Sequence, residues 1–346
     1  MAASFSLRRL SQKELSTVLL CMTHIDRLSY SLCSKTCKTS ITELNLNASG
    51  VRVQVSHNCR IYLDFYDVGI LIISTRPQTN RNAVLNLDAQ QALIVESVYQ
   101  NVSCLWNYNG LSCNEWLAHC MEIYHIELIN KIMLSSGNYI FDQVRKVLEQ
   151  QQIKIISITS VVSAELAHGI LSLHLQCKEV SISVDNFGRT NLFGSMENLR
   201  KAMIQNIDNV CFRANPLPFA LPLTLDDVLL TNALQLSLVV AKLTGKDLNR
   251  FLKMWIRSPN RRLKTLKAGI PNQPDLNENR IMQGIRYTAI AREELEGKMR
   301  THNYDLGDFE AMVNGGVNIR SRDGREATVS FIAGNHASHV QFFVWN

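Results

Sequence analysis

The run KLTGKDLNRFLKMWIRSPNRRLKTLKAG, Lys242 to Gly269, holds one complete helix-then-strand unit. Thr244 can cap the first amides of a helix, and Asp247, three residues on, can reach back to it, the spacing of a capping box. Leu248, Phe251, Leu252, Trp255 and Ile256 then recur at helical spacing and make one apolar face. Lys246, Arg250, Lys253 and Arg257 fall on the opposite face. Ser258-Pro259-Asn260 predicts the stop, because proline lacks the amide that the next helical turn needs. Leu263, Leu266 and Ala268 follow as a short apolar strand. One helix and one strand cannot bury such faces alone, so the unit needs neighbours built like itself.

The chain supplies them. The apolar spacing L-x-x-L-x-L occurs at Ile129/Ile132/Leu134, Ile153/Ile156/Ile158, Cys177/Val180/Ile182, Ile207/Val210/Phe212, Ala233/Leu236/Leu238 and Leu263/Leu266/Ala268. Successive first positions differ by 24, 24, 30, 26 and 30 residues, about the period of leucine-rich repeats. Amphipathic helices are predicted between the strands, over Phe141–Leu148, Ala164–Leu171, Met196–Met203, Leu225–Leu230 and Leu248–Ile256. Strand, helix and parallel strand in alternation imply an α/β protein. The expected architecture is a degenerate leucine-rich-repeat-like array. The alternative is an ordinary doubly wound sheet. The asparagine that should follow each repeat strand stands only at Asn215.

Flanking segments read differently. Val51 to Thr75 alternates like strands, with His57-Asn58 and Asp67-Val68-Gly69 as turns, whereas 76–103 shows no clean period. Ser112 and Glu115 predict the cap of a helix carrying Trp116, Leu117, Cys120, Met121 and Tyr124. Past Pro271 and Pro274, strands are predicted over Gly316–Arg320, Glu326–Ile332 and His339–Trp345, with Asp323-Gly324 turning between the first two. An antiparallel end of this kind would cap an array.

The first 45 residues predict three short helices. Ser11 with Glu14 and Thr23 with Asp26 have cap spacing, and Ser34 can open the third helix. Leu15, Val18, Leu19 and Met22 form one stripe; Ile25, Leu28 and Leu32 form another. So little chain buries little surface, so these faces want a partner in this chain or another.

FSLRRLSQKELSTVLLCMTHIDRLSYSLCSK resembles an F-box, through Phe5, Leu7, Leu10, the stripe from Leu15, Ile25-Asp26-Arg27-Leu28 and Ser31 to Lys35. Ser11 stands where that motif usually has proline. DLNRFLKMWIRSPNRRLKTLKAGI resembles the F-box associated type 2 domain of the large nematode F-box group, through Trp255-Ile256, the polar break, Arg262, Leu263 and Leu266. VNIRSRDGREATVSF is similar to that group's ending. The resemblance implies a substrate-recognition adaptor of a Skp–cullin–F-box ubiquitin ligase. Leu7, Leu10, Leu15, Leu19, Ile25, Leu28 and Leu32 would contact the Skp-type linker, and through it a cullin, while internal helix packing is the competing role for each. The implied segments are an F-box over 1–48, a β/α connection over 49–125, the array over 126–270 with the F-box associated region at about 200–270, and a capping segment over 271–346.

Composition bounds the rest. At 46% hydrophobic and 19% charged, 346 residues fold around a core, and a net charge of +6 does not by itself imply nucleic acid. Nine cysteines without paired spacing predict reduced thiols and a cytoplasmic or nuclear protein. MAASFSLRRLSQK has no signal-peptide core, and no apolar run approaches a membrane span. No phosphate-binding loop, dinucleotide fingerprint or G-x-S-x-G elbow is present. Cys113, His119, Cys120 and His125 cluster on one predicted helix, but neighbours His119 and Cys120 point apart, so no metal is expected. No cofactor and no catalytic residue is expected either. Between Lys242 and Lys267 stand nine cations and one acid, Asp247. Arg257, Arg261, Arg262 and Lys264 are therefore candidates for holding an acidic or phosphorylated protein target, since paired arginines bind anionic oxygens bidentately. A solvated outer face is the plainer reading of the same charges. A nucleic-acid-binding solenoid and an α/β enzyme with an unrecognised site are the rival functions. Exposed interleaved aromatics, which would favour nucleic acid, are missing, because Phe251 and Trp255 fall on the apolar face.

Overall fold

A computed structural model describes residues 7–66, 69–75, 84–89, 93–98, 102–106, 110–135, 138–159, 169–170, 176–185, 200–201, 203–215, 223–239, 242–257, 262–271, 277–301, 315–332 and 337–345. The protein is mixed α/β and divides into two compact units, residues 1–155 and 156–346. Phe5, Arg261 and the Ser258-Pro259-Asn260 stop lie outside the described residues, as do most of the helices expected over 164–171 and 196–203.

The first unit opens with α1 (Gln12–Cys21), α2 (His24–Ser31) and α3 (Lys35–Thr42). Local hydrogen bonds set their starts. The Glu14 amide donates to Ser11 Oγ at 3.4 Å and the Ser11 amide to the Glu14 carboxylate at 2.9 Å. Thr23 Oγ1 accepts from the Asp26 amide and Ser34 Oγ from the Cys37 amide, both at 3.1 Å. Each satisfies a backbone donor that has no partner within its own helix.

Next come β1 (Gly50–Val55), β2 (Cys59–Phe65), β3 (Gly69–Thr75), β4 (Val84–Leu85), β5 (Leu93–Ser97), β6 (Val102–Trp106), α4 (Cys113–Ile123), β7 (Ile129–Leu134), β8 (Asn138–Tyr139) and α5 (Phe141–Gln150). The sheet of this unit runs β7-β1-β2-β3-β5-β6, with β1 and β7 parallel and the other pairs antiparallel. Alternation along β1 to β3 buries Val51, Val53, Val55, Ile61, Leu63, Leu71 and Ile73 on one side, as a two-residue period requires. Strands β4 and β5 lie in the stretch where the sequence shows no clean period, and β6 begins at its end. β9 (Ile153–Ile158) contains the division between the units.

Cys59 of β2 and Cys113 at the start of α4 are joined by a disulfide. This corrects the expectation of uniformly reduced thiols. The strand and helix bring together two cysteines 54 residues apart, a pairing that local spacing cannot reveal.

The second unit contains β10 (Glu179–Asp185), β11 (Asn209–Asn215), α6 (Leu225–Leu230), β12 (Gln235–Val239), α7 (Gly245–Arg257), β13 (Thr265–Pro271), α8 (Glu278–Ile281), β14 (Thr288–Ile290), α9 (Arg292–Thr301), β15 (Gly316–Arg320), β16 (Glu326–Ile332) and β17 (Ala337–Trp345). Strands β10, β11, β12 and β13 are parallel neighbours. Their register aligns Ile182 with Phe212, Phe212 with Leu238, and Leu238 with Ala268. Val180, Val210, Leu236 and Leu266 form a second row, and all these side chains are buried. Burial of a large apolar side chain contributes roughly 1.5–3 kcal/mol, so the two rows fix the register.

From β13 the sheet continues antiparallel through β17, β16, β15 and β14. Phe251 and Trp255 of α7 meet Phe342 of β17 edge-on, with ring centroids 5.3 and 5.2 Å apart. Ile290, Leu295, Met299, Ile332, Phe343 and Trp345 form a second cluster under α9. Gly315 permits the close approach of β14 to β15: a Cβ there would stand 2.7 Å from the Ile290 carbonyl oxygen.

Candidate functional site

The first surface lies on the N-terminal helices. Leu19, Ile25 and Leu28 are buried at 0%, 7% and 0% exposure, so they hold the unit together and present nothing to a partner. Leu7, Leu10, Leu15 and Leu32 are half-buried. Leu20, outside the stripe read from the sequence, is 52% exposed, the most accessible leucine of these helices. An apolar stripe shows that a face needs cover, but not whether this chain or another provides it.

Polar bonds fasten these helices down within their unit. Arg27 Nε donates to the Leu19 carbonyl at 2.8 Å and its Nη2 to the Leu20 carbonyl at 2.6 Å. These are carbonyls in the last turn of α1, where a cation is also favoured by the helix dipole. Lys38 of α3 pairs with Glu122 of α4, and His125 Nε2 lies 2.9 Å from the Thr42 carbonyl. The His24 ring lies 4.0 Å from that of Phe65, and Phe65 meets Tyr124 edge-on at 5.0 Å.

Titratable groups in this unit are shaped by burial. The imidazole of His119 is pushed down to about 4, by desolvation first and then by the Lys38 charge. Burial pushes the Cys120 thiol up to about 12 and raises the Tyr124 hydroxyl. Ser31 Oγ lies 2.8 Å from His119 Nε2, the pairing an acyl-transfer nucleophile would use. Here, however, Ser31 is 2% exposed and donates its single proton to the Leu28 carbonyl at 2.6 Å. The pair therefore acts as a buried strut. Among the described residues no cluster of His, Cys, Asp and Glu could hold a metal ion, and no helix is long and apolar enough to cross a membrane.

The second surface lies on the second unit. Thr244 and Asp247 cap α7 reciprocally, the Thr244 amide donating to Asp247 at 3.0 Å and the Asp247 amide to Thr244 Oγ1 at 3.2 Å. With that start fixed, Leu248, Phe251, Leu252 and Trp255 face inward, while Lys246, Arg250 and Arg257 are exposed and Lys253 is half-buried. Arg262 does not join this row: its Nη2 is taken up by Asp208 at 3.1 Å. Arg262, expected from the sequence to face a target, is thus engaged by an acid of its own unit. Lys264 is half-buried, with its amide bonded to the Leu234 carbonyl at 2.7 Å. Arg261 lies outside the described residues. Among the described residues, the most exposed of these candidate cations lie along α7.

Between α7 and α8 lies an open cleft, lined by Lys246, Asn249, Arg250, Asn277, Asn279, Arg280 and Gln283. The sequence offered no sign of it, because one wall is built from a four-residue helix without amphipathic length, which carries Asn279 and Arg280, and from its flanks Asn277 and Gln283. Comparison with curated proteins and with solved structures returned no match. Residues 198–268, which contain β11, α6, β12 and α7 and enter β13, match the family described as F-box associated.

Proposed function

We propose that this protein is a substrate-recognition adaptor of a Skp–cullin–F-box ubiquitin ligase. The observation that carries the reading is the F-box associated match over 198–268, in a chain that opens with three capped helices. In this reading α1 to α3 form the F-box and dock on the Skp-type linker, through which a cullin is reached. Residues 126–270 form the leucine-rich-repeat-like array, and β14 to β17 cap it. In-register burial along β10 to β13 supports that description. A protein target binds the second unit, and ubiquitin transfer is carried out by other subunits.

In this reading the linker contacts are Leu7, Leu10, Leu15, Leu20 and Leu32, the leucines that keep exposed surface, while the buried Leu19, Ile25 and Leu28 serve the core. The test is capture of a purified Skp-type linker by the full-length chain. Truncating Leu10 and Leu15 to alanine should weaken capture by about 2 kcal/mol or more if they anchor the interface. Circular dichroism unchanged from wild type must accompany that loss. A wild-type chain that captures no linker sinks the reading.

A further inference from the structure

We infer that the cleft between α7 and α8 holds an acidic, extended segment of a protein target, its carboxylates set along the cation row of α7. The inference rests on the adaptor reading for its biological occupant and deepens it by naming the target's chemistry. An α-helix rises 1.5 Å per residue, so Lys246 and Arg250, the two row cations that line the cleft, stand about 6 Å apart along the axis, and Lys253 and Arg257 continue the row beyond the lining at further steps of about 4.5 and 6 Å. Alternate side chains of an extended peptide are about 6.6 Å apart. A strand-like segment with an acid at every second residue therefore sets one carboxylate at Lys246 and the next at Arg250 inside the cleft, and runs on toward Lys253 and Arg257.

The opposite wall adds Arg280 and the amides of Asn277, Asn279 and Gln283, and none of the seven lining residues is acidic. That wall is held in place. Asn249 Nδ2 donates to the carbonyls of Ile281 and Gln283 at 2.6 and 2.9 Å, bolting α8 to α7. Gly284, at φ +73°, turns the chain where Lys253 Nζ lies 3.4 Å from the place of a Cβ. Among the described residues none of the four row cations has an acidic partner, although Arg200 and Arg262 elsewhere in the unit do. The charges are strung out along a line, which favours several single carboxylates over one phosphate. Among the described residues no aromatic lines the cleft, and Phe251 and Trp255 are buried, so these residues offer the bases of a nucleic acid nothing to stack on within it.

The test is fluorescence anisotropy on the full-length chain with four labelled probes. These are a peptide of alternating Glu and Ser, its Gln-for-Glu analogue, a singly phosphorylated but otherwise neutral peptide, and oligothymidylate. The acidic peptide should bind, the Gln analogue should not, and binding should fade as salt is raised to about 0.5 M, where exposed charges are screened. The double variant Lys246→Gln, Arg250→Gln should weaken binding about tenfold, the loss of two exposed pairs. Lys178→Gln, an exposed lysine of the same unit, should leave it unchanged. Wild-type affinity in the double variant overturns the inference. So does failure of the acidic peptide to bind, or tighter binding of either the phosphopeptide or the oligonucleotide. Linker capture, measured on the same proteins, separates the two readings: peptide binding without linker capture sinks the adaptor reading alone, and the reverse sinks the cleft alone.

Discussion

His119 Nε2 donates to Ser31 Oγ across 2.8 Å, and Ser31 hands its own proton to the Leu28 carbonyl at 2.6 Å. The direction follows from the count: a hydroxyl has one proton, and the short bond to Leu28 uses it. The chain of bonds ties α2 to α4 inside the first unit and requires a proton on Nε2, and burial keeps the ring neutral.

A pH dependence follows. His119 sits at about 4 in the fold, against an ordinary value of 6.5. Below 6.5 the unfolded chain takes a proton that the folded chain refuses, so the stability from neutral His119 is full above pH 6.5 and is lost as pH falls through about 4. The midpoint of urea unfolding should therefore fall between pH 6.5 and 4. In His119→Gln, whose amide can still donate to Ser31 but does not titrate, that fall should be shallower. An identical slope in the two proteins would remove His119 as its cause.

Reduction should weaken the first unit. The Cys59–Cys113 bond closes a loop with a sequence separation of 54, which by chain entropy is worth about 4 kcal/mol, less if the reduced chain retains structure. Thermal melts with and without a thiol reductant should differ by several degrees, and the double variant Cys59→Ser, Cys113→Ser should melt with the reduced protein and ignore the reductant. Equal melting in all four conditions would show that the bridge adds nothing.

Tyr124 makes the opposite case. Its ring is fully buried against Phe65, but among the described residues its hydroxyl has no hydrogen-bond partner. A buried polar group left unpaired is destabilising, so Tyr124→Phe should leave stability unchanged or raise it by about 1 kcal/mol. Chemical denaturation reads this directly, and a loss of more than about 1 kcal/mol would mean that the hydroxyl is satisfied in solution.

What the sequence revealed depended on how far its signals reach. Caps and amphipathic stripes are local, so Ser11, Thr23, Ser112 and Thr244 mark helix starts in both sequence and structure. The recurring apolar spacing is local within each unit, and its alignment of Val210, Leu236 and Leu266 follows from burying one face of each strand. Strand β6 escaped notice because Ser103 and Leu105 are exposed at a sheet edge, which weakens the alternation. Helix α9 escaped because only Leu295 and Met299 of its ten residues are buried. The Cys59–Cys113 bridge and the Arg262–Asp208 ion pair each join residues 54 apart, beyond any local period. The cleft beside α7 is likewise made by two segments whose adjacency only the fold supplies.

Arg27 gives the last prediction. It is 8% exposed, and its guanidinium closes two carbonyls at the end of α1 through Nε and Nη2. Two donors in a fixed plane are needed for that, so lysine, a single point of charge on a flexible stem, cannot replace it. Hydrogen bonds from a charged donor contribute about 1.5–3 kcal/mol each, and removing the side chain takes a donor from both carbonyls, leaving Leu19 with the Met22 amide at 3.2 Å. Arg27→Ala should therefore lower stability by about 2 kcal/mol or more, and Arg27→Lys should recover only part of it. The loss should be concentrated at the α1–α2 junction, where hydrogen exchange at the amides of Leu19 to Arg27 should speed up before the sheet is affected. It should also weaken linker capture indirectly, by letting α1 move, while acidic-peptide binding at the α7 cleft stays at the wild-type level. Full stability in Arg27→Lys would show that charge alone, without the two-pronged geometry, closes the helix.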